Sequence, residues 1–252
     1  MLYLKDLSGK DIVWLHDLSN EDIRSILKTA ENLKIAKRTG KPHRRLEEKS
    51  LAMVFQKPST RTRTSFEVGM TELGGHALYL STRDLQLRRG ETIEDTAKVL
   101  SRYTDGIMAR VYEHKDIEDL AKNSNVTVLN GLSDLVHPIQ VISDLFTIKE
   151  KKDTFDLDLT FIGDGNNLAH SLMFGGAKVG MNVKVITPEG YEPNQEVVKL
   201  AKEDAKKTNT NIEITNDVDE VEKSDIVYTD VWASMGEEDE REERIKKLRQ
   251  AR

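Results

Sequence analysis

The chain has 252 residues, enough for two domains of ordinary size, with 37% hydrophobic and 33% charged residues. That composition belongs to a folded, charge-rich protein and excludes disordered and fibrous classes. A formal net charge of -6 and a pI near 5.6 exclude the broadly basic surface that nucleic acid requires, but not a site for one small anion.

Cysteine is absent, so these residues hold no disulfide, no thiolate metal site and no cysteine nucleophile. The amino terminus, "MLYLKDLSGKDIVWLHDLSNEDI", has no basic region followed by a long apolar run. It reads as neither a signal peptide nor a membrane span, and the expected location is the cytoplasm.

The first helical pattern is "DLSNEDIRSILKTAENLKIAKRTG", where Ser19 or Asn20 precedes Glu21 and Asp22 as a cap. "SLAMVFQ" then reads as a buried strand and "STRTRTSFEVGMTELGG" as a helix ended by Gly74-Gly75. "HALYL", "GIMARVY" and "VTVLNG" read as further strands, with helices over "TIEDTAKVLSRY" and "HKDIEDLAKNS" between them. Alternating β and α segments predict a parallel sheet covered by helices. "LVHPIQVISDLFTIKEKK" reads as a long helix, and "KEKKDTFD" as the boundary between domains 1–150 and 151–252.

A second alternation follows through "LDLTFIGDGNN", "NVKVITP", "NIEITND" and "SDIVYTDVW". The expected fold class is therefore α/β, with two open parallel-sheet domains. The second is similar to a doubly wound nucleotide-binding domain and is short of strands. The tail "GEEDEREERIKKLRQAR" orders acids before bases, which suits a solvated helix.

The stretch "FQKPSTRTRTSFE" gathers Lys57, Arg61 and Arg63 among hydroxyl residues directly after a predicted strand. A helix starting there offers free backbone N–H groups and the positive end of its dipole, which makes an anion site. Ser59, Thr60 and Thr62 can add hydroxyl donors, and Arg61 can grip a phosphate with two parallel hydrogen bonds. Lys57 and Arg63 receive no direct contact; Arg63 can pair with Glu67.

"STRTR" resembles the phosphate-binding signature of the aspartate and ornithine carbamoyltransferases. "DLQLRRGE", "MARVY", "HPIQ", "GDGNN" and "DVWASMG" follow in the same order, so the resemblance runs across essentially the whole chain. The last segment resembles the ornithine-using branch. The resemblance implies carbamoyl-phosphate binding by Ser59, Thr60, Arg61, Thr62, Arg110, His137 and Gln140. Attack on carbamoyl phosphate pushes negative charge onto the carbonyl oxygen, so fixed donors there should dominate catalysis. Arg110 and His137 are the candidate donors, with Arg61 completing the catalytic set, and Gln140 can contact the carbamoyl nitrogen or oxygen. Gln86, on a predicted loop, is expected from the resemblance to reach a neighbouring subunit's site in a homotrimer or stacked trimers.

For the acceptor, the resemblance gives Asn167 the α-amino and carboxylate end of ornithine. Read by itself, Asn167 is equally a helix cap. Asp230 offers a buried carboxylate at a strand end, Ser234 a hydrogen bond, and Met235 packing along the aliphatic stem. Trp232 reads as core. No metal or organic cofactor, nucleic acid or membrane is implied.

"GDGNNL" lacks the third glycine of a dinucleotide fingerprint, which leaves a nicotinamide dehydrogenase a distant alternative. The family's "HCLP" segment, its later arginine and its carboxyl-terminal helix are absent. A truncated member is expected, one that binds carbamoyl phosphate better than it turns over ornithine. A binding module with little turnover therefore stays open, as does a related transferase using putrescine, aspartate or an acylated ornithine.

Overall fold

The computed structural model describes residues 6–83, 85 and 90–230. Contacts divide the chain into two units, Met1–Ile139 and Gln140–Arg252.

The first unit contains α1 (Asn20–Arg38), β1 (Ser50–Phe55), α2 (Thr60–Glu72), β2 (His76–Ser81), α3 (Ile93–Tyr103), β3 (Gly106–Arg110), α4 (His114–Asn123) and β4 (Thr127–Leu132). All strand pairs are parallel, in the order β2-β1-β3-β4. Alternate residues of β1 leave the sheet on opposite faces. Leu51, Met53 and Phe55 pack with Met70 and Phe66 of α2, whereas Ala52 and Val54 pack with Ala97 of α3 and Ile117 and Leu120 of α4. Helices on both faces are why "LAMVF" is apolar throughout instead of alternating. Each fully buried large side chain stabilises such a core by about 1.5–3 kcal/mol.

The helix limits follow from local chemistry. Ser19, not Asn20, caps α1, and it forms a complete capping box with Asp22. Thr92 caps α3 through the Asp95 N–H.

α5 (Pro138–Lys152) begins at its proline, so Leu135, Val136 and His137 lie in the preceding loop instead of the helix expected there. Proline suits the first helical position, and its ring holds the preceding residue out of helical geometry.

The second unit continues with β5 (Asp158–Ile162), α6 (Asn167–Val179), β6 (Asn182–Ile186), α7 (Gln195–Thr208), β7 (Ile212–Thr215), a 3-10 turn (Val218–Lys223) and β8 (Ile226–Thr229). Its strands are also all parallel, in the order β7-β6-β5-β8. Every residue of α6 from Leu168 to Val179 is buried, which accounts for its apolar sequence on all sides.

Both sheets reverse direction once. In the first, the chain leaves β1 towards β2 and later returns to place β3 on the other side. In the second, the reversal lies between β5 and β8. Open parallel sheets bind ligands beyond the carboxyl ends of the strands at such a reversal.

Candidate active site

In the first unit, β1 ends at Phe55 and β3 ends at Arg110, and these two residues are in register. Gln56 ties the ends together. Its N–H donates to the Arg110 carbonyl at 2.9 Å, its Oε1 accepts from the Tyr112 N–H at 2.7 Å, and its Nε2 donates to Asp116 Oδ2 at 2.6 Å. Nothing in the sequence spacing singled out Gln56, because its partners lie on β3 and α4.

α2 starts directly beyond. Ser59 is its cap, accepting the Thr62 N–H at 3.3 Å and donating to Thr62 Oγ1 at 3.0 Å. Among the described helices, α2, α5 and α6 carry no acid in the first turn, whereas α1, α3, α4 and α7 do. Those three follow β1, β4 and β5, whereas β3, which ends at Arg110, is followed by α4 with Asp116 in its first turn. The positive dipole ends of α2, α5 and α6 are not neutralised by the chain itself, which leaves them open to an anion.

The arginines divide by role. Arg63 lies along α2, donating to Glu67 Oε1 at 3.0 Å and covering the Tyr79 ring at 3.8 Å. Lys57 is buried with its Nζ 4.5 Å from the centre of the Tyr112 ring. Arg61 is exposed and Arg110 is only 3% exposed, and among the described residues neither has an acidic partner. The buried Nε of Arg110 has no hydrogen-bond partner among those residues. Burial first, and then the like charge of Arg61, push the Arg110 guanidinium below its ordinary value. A cation left so uncompensated is poised for an anion.

His137 lies in the loop after β4. Burial first, and the Arg110 charge second, hold its imidazole down to about 4. It is therefore neutral at physiological pH, a state in which one ring N–H can still donate a hydrogen bond. The loop before it is pinned. Ser133 Oγ accepts the Val136 N–H at 3.2 Å and bonds His114 Nδ1 at 2.8 Å, while the His114 N–H donates to Asp134 Oδ1 at 2.7 Å. No local pattern marks His114 or Ser133, which meet only through the fold.

In the second unit, Ile162 of β5 and Thr229 of β8 are in register, so Asn167 and Asp230 follow the two strands that flank the reversal. Asn166 caps α6, accepting the Leu168 and Ala169 N–H groups at 3.0 and 3.3 Å. Asn167 is thus the first helical residue and does not serve as the cap. Asp230 is half-buried instead of buried. Its charge bears on Asp144, which accepts from Gln140 Nε2 at 3.0 Å and from Tyr228 Oη at 3.1 Å. Burial raises the Asp144 carboxyl, against the two hydrogen bonds that lower it. Burial and then the Asp144 charge push the Tyr228 hydroxyl upwards. Gln86, Ser234 and Met235 lie outside the described residues.

"GDG" has a packing explanation. A Cβ on Gly165 would lie 2.3 Å from the Pro193 nitrogen, so glycine here admits the Glu192–Pro193 backbone and not a pyrophosphate. A cavity of about 170 Å³ in the second unit lies at the opposite, amino-terminal strand ends, beside Asp158, Asn182 and Asn211. Its cations are already paired: Lys184 with Glu220 at 2.5 Å and Glu213 at 3.5 Å, and Lys223 with Glu220 at 3.1 Å. Among the described residues, no group of three or more His, Asp or Glu could hold a metal ion, and no helix is long and apolar enough to cross a membrane.

Two parallel α/β sheets, the first with two arginines that lack acidic partners among the described residues and a helix terminus at its reversal, define an α/β protein of two units, the first of which suits a small anion. Residues 10–150 match the family described as aspartate/ornithine carbamoyltransferase, carbamoyl-P binding domain, and residues 156–252 match its Asp/Orn binding domain. The chain belongs to the aspartate/ornithine carbamoyltransferase family.

It is 59% identical over 242 residues to the ornithine carbamoyltransferase of Thermococcus kodakarensis, covering 95% of this chain and 77% of that protein. The anabolic ornithine carbamoyltransferase of Pyrococcus furiosus is 58% identical over 245 residues, covering 96% and 78%. A solved ornithine carbamoyltransferase from Pyrococcus furiosus superposes with a TM-score of 0.93, covering 97% of this chain and 79% of that one. One from Campylobacter jejuni, at 40% identity, gives 0.88, with 96% and 79% covered.

Proposed function

We infer that this protein transfers the carbamoyl group of carbamoyl phosphate to the δ-amine of L-ornithine, giving L-citrulline and phosphate. The observation that carries this reading is Arg110, buried, without an acidic partner among the described residues, and repelled by Arg61 at the sheet reversal. A dianion there satisfies both guanidinium groups and the open terminus of α2.

On this reading Ser59, Thr60, Arg61 and Thr62 hold the phosphate. Arg110 and neutral His137 donate to the carbonyl oxygen, and Gln140 meets the carbamoyl group. Asn167, Asp230, Ser234 and Met235 hold ornithine. Residues 1–150 serve as the carbamoyl-phosphate domain and 151–252 as the ornithine domain. Gln86 completes a neighbouring site within a homotrimer, and the cytoplasm is the place of action.

The unprotonated δ-amine attacks the carbamoyl carbon. The C–N bond forms, and negative charge collects on the carbonyl oxygen beside Arg110 and His137. The C–O bond to phosphate then breaks, and the phosphate leaves with the amine proton. Orientation and fixed electrostatics supply the acceleration, because phosphate is already a good leaving group.

The test is citrulline formation from carbamoyl phosphate with ornithine, compared with putrescine, which lacks the α-carboxylate. Turnover with ornithine alone is expected. Binding of carbamoyl phosphate by calorimetry without ornithine-dependent phosphate release would favour the binding-module alternative.

A further inference from the structure

We propose that His170 is a positioning residue for the amino-acid site: it latches segment 191–194 over the turn that presents Asn167. The proposal rests on the reading that gives Asn167 to ornithine and goes one step further, to what holds that residue in place.

The turn joins β5 to α6 and is fastened through its backbone. The Gly163 N–H donates to the Ile186 carbonyl at 3.1 Å, and the Gly165 N–H donates to the Tyr191 carbonyl at 2.8 Å. The missing Cβ of Gly165 admits the Pro193 backbone. Asn166 and Asn167 follow directly, so segment 191–193 sets the path of the backbone that carries Asn167. The segment ends at Asn194, whose N–H donates to His170 Nε2 at 3.1 Å and whose side chain caps α7. His170 lies on α6, one turn beyond Asn166, and is only 5% exposed.

A backbone N–H can only donate. His170 Nε2 is therefore the bare ring nitrogen, and the ring proton lies on Nδ1. Glu192 gives the segment a second support: its Oε2 accepts the Gly190 N–H at 2.9 Å, and its Oε1 accepts from Asn216 Nδ2 at 3.2 Å. Without the His170 acceptor the segment is released at its Asn194 end, and the turn beneath it gains freedom. A ligand that needs Asn167 in one place must then order that turn as it binds, which costs affinity.

The experiment measures calorimetric affinities for ornithine, with inorganic phosphate present, and for carbamoyl phosphate alone. It compares wild-type protein with His170→Leu, which fills the space without an acceptor, and His170→Gln, which returns an acceptor at similar reach. His170→Leu should weaken ornithine binding by about five- to tenfold, with carbamoyl phosphate held within about twofold. His170→Gln should bring ornithine affinity back to within about threefold of wild type. Hydrogen exchange reads the latch itself: protection of the Gly165 and Asn194 amides should fall by about tenfold or more in His170→Leu.

Unchanged ornithine affinity or unchanged exchange in His170→Leu overturns the proposal. No recovery in His170→Gln, or equal loss for both ligands, does so too, because either marks a merely structural role. Wild-type protein that binds no ornithine overturns the Asn167 reading and the proposal with it. Wild-type protein that binds ornithine, with none of these effects in the variants, overturns the proposal alone.

Should His170→Leu fail to fold, Glu192→Ala carries the test. Glu192 is exposed, and its loss frees the same segment from its other support. Ornithine affinity should fall by about threefold or more, and exchange at the Gly165 amide should quicken. Wild-type affinity and exchange in Glu192→Ala overturn the proposal.

Discussion

Arg110 stands in register with Phe55, at the carboxyl ends of β3 and β1 where the first sheet reverses its strand order. The pairing sets a buried cation beside the start of α2 and explains why a charge sits at the end of an apolar strand. On the proposed reading Arg110→Gln removes a donor to the developing oxyanion, so kcat should fall by roughly 10²–10³. The same change removes an uncompensated buried charge, so the unliganded protein should melt no lower than wild type. Steady-state citrulline formation and scanning calorimetry check the two halves. A lower melting temperature without ligand would contradict the electrostatic account.

His137 gives a pH prediction. Its imidazole is held to about 4 in the folded protein, against an ordinary value of about 6.5 when unfolded. Between those values the unfolded chain binds a proton that the folded one does not. Stability from this group is complete above about pH 6.5, and it is lost as the pH falls towards about 4, by on the order of 3 kcal/mol. Urea unfolding across that range should show the slope in wild type and a shallower one in His137→Gln.

Gly165→Ala should destabilise the second unit by about 3 kcal/mol, because its Cβ would lie 2.3 Å from the Pro193 nitrogen and 2.5 Å from the Glu192 carbonyl carbon. The melting temperature reports this. A neutral result would mean that the loop at Pro193 yields freely.

Asn166 and Asn167 are neighbours with separable roles. Asn166→Ala removes the α6 cap and should lower stability by about 1 kcal/mol. Asn167→Ala leaves the cap intact and should raise KM for ornithine with little change in melting temperature. Denaturation and kinetics on the two variants separate the effects, and the reverse pattern would reassign them.

Much of this was legible beforehand. The apolar runs at Leu51–Phe55 and Leu159–Ile162 are strands, and the alternation of strands and helices is the parallel α/β architecture. "STRTR" does begin a helix directly after a strand, and Arg63 does pair with Glu67. Two details differ from the local pattern: Asn166, not Asn167, caps α6, and α5 starts at Pro138, three residues after Leu135 where the helical pattern begins.

The sequence by itself determined which residues can form an anion site, because hydroxyls, arginines and a helix start are local properties. It determined the layering too, since apolar periodicity is written along the chain. Only the tertiary structure decided that Arg110 lies beside Arg61, that Gln56 ties Arg110 in place, and that Tyr228 and Gln140 share Asp144. Strand order is set by packing among segments tens of residues apart, and no local pattern encodes which strand ends meet at the reversal.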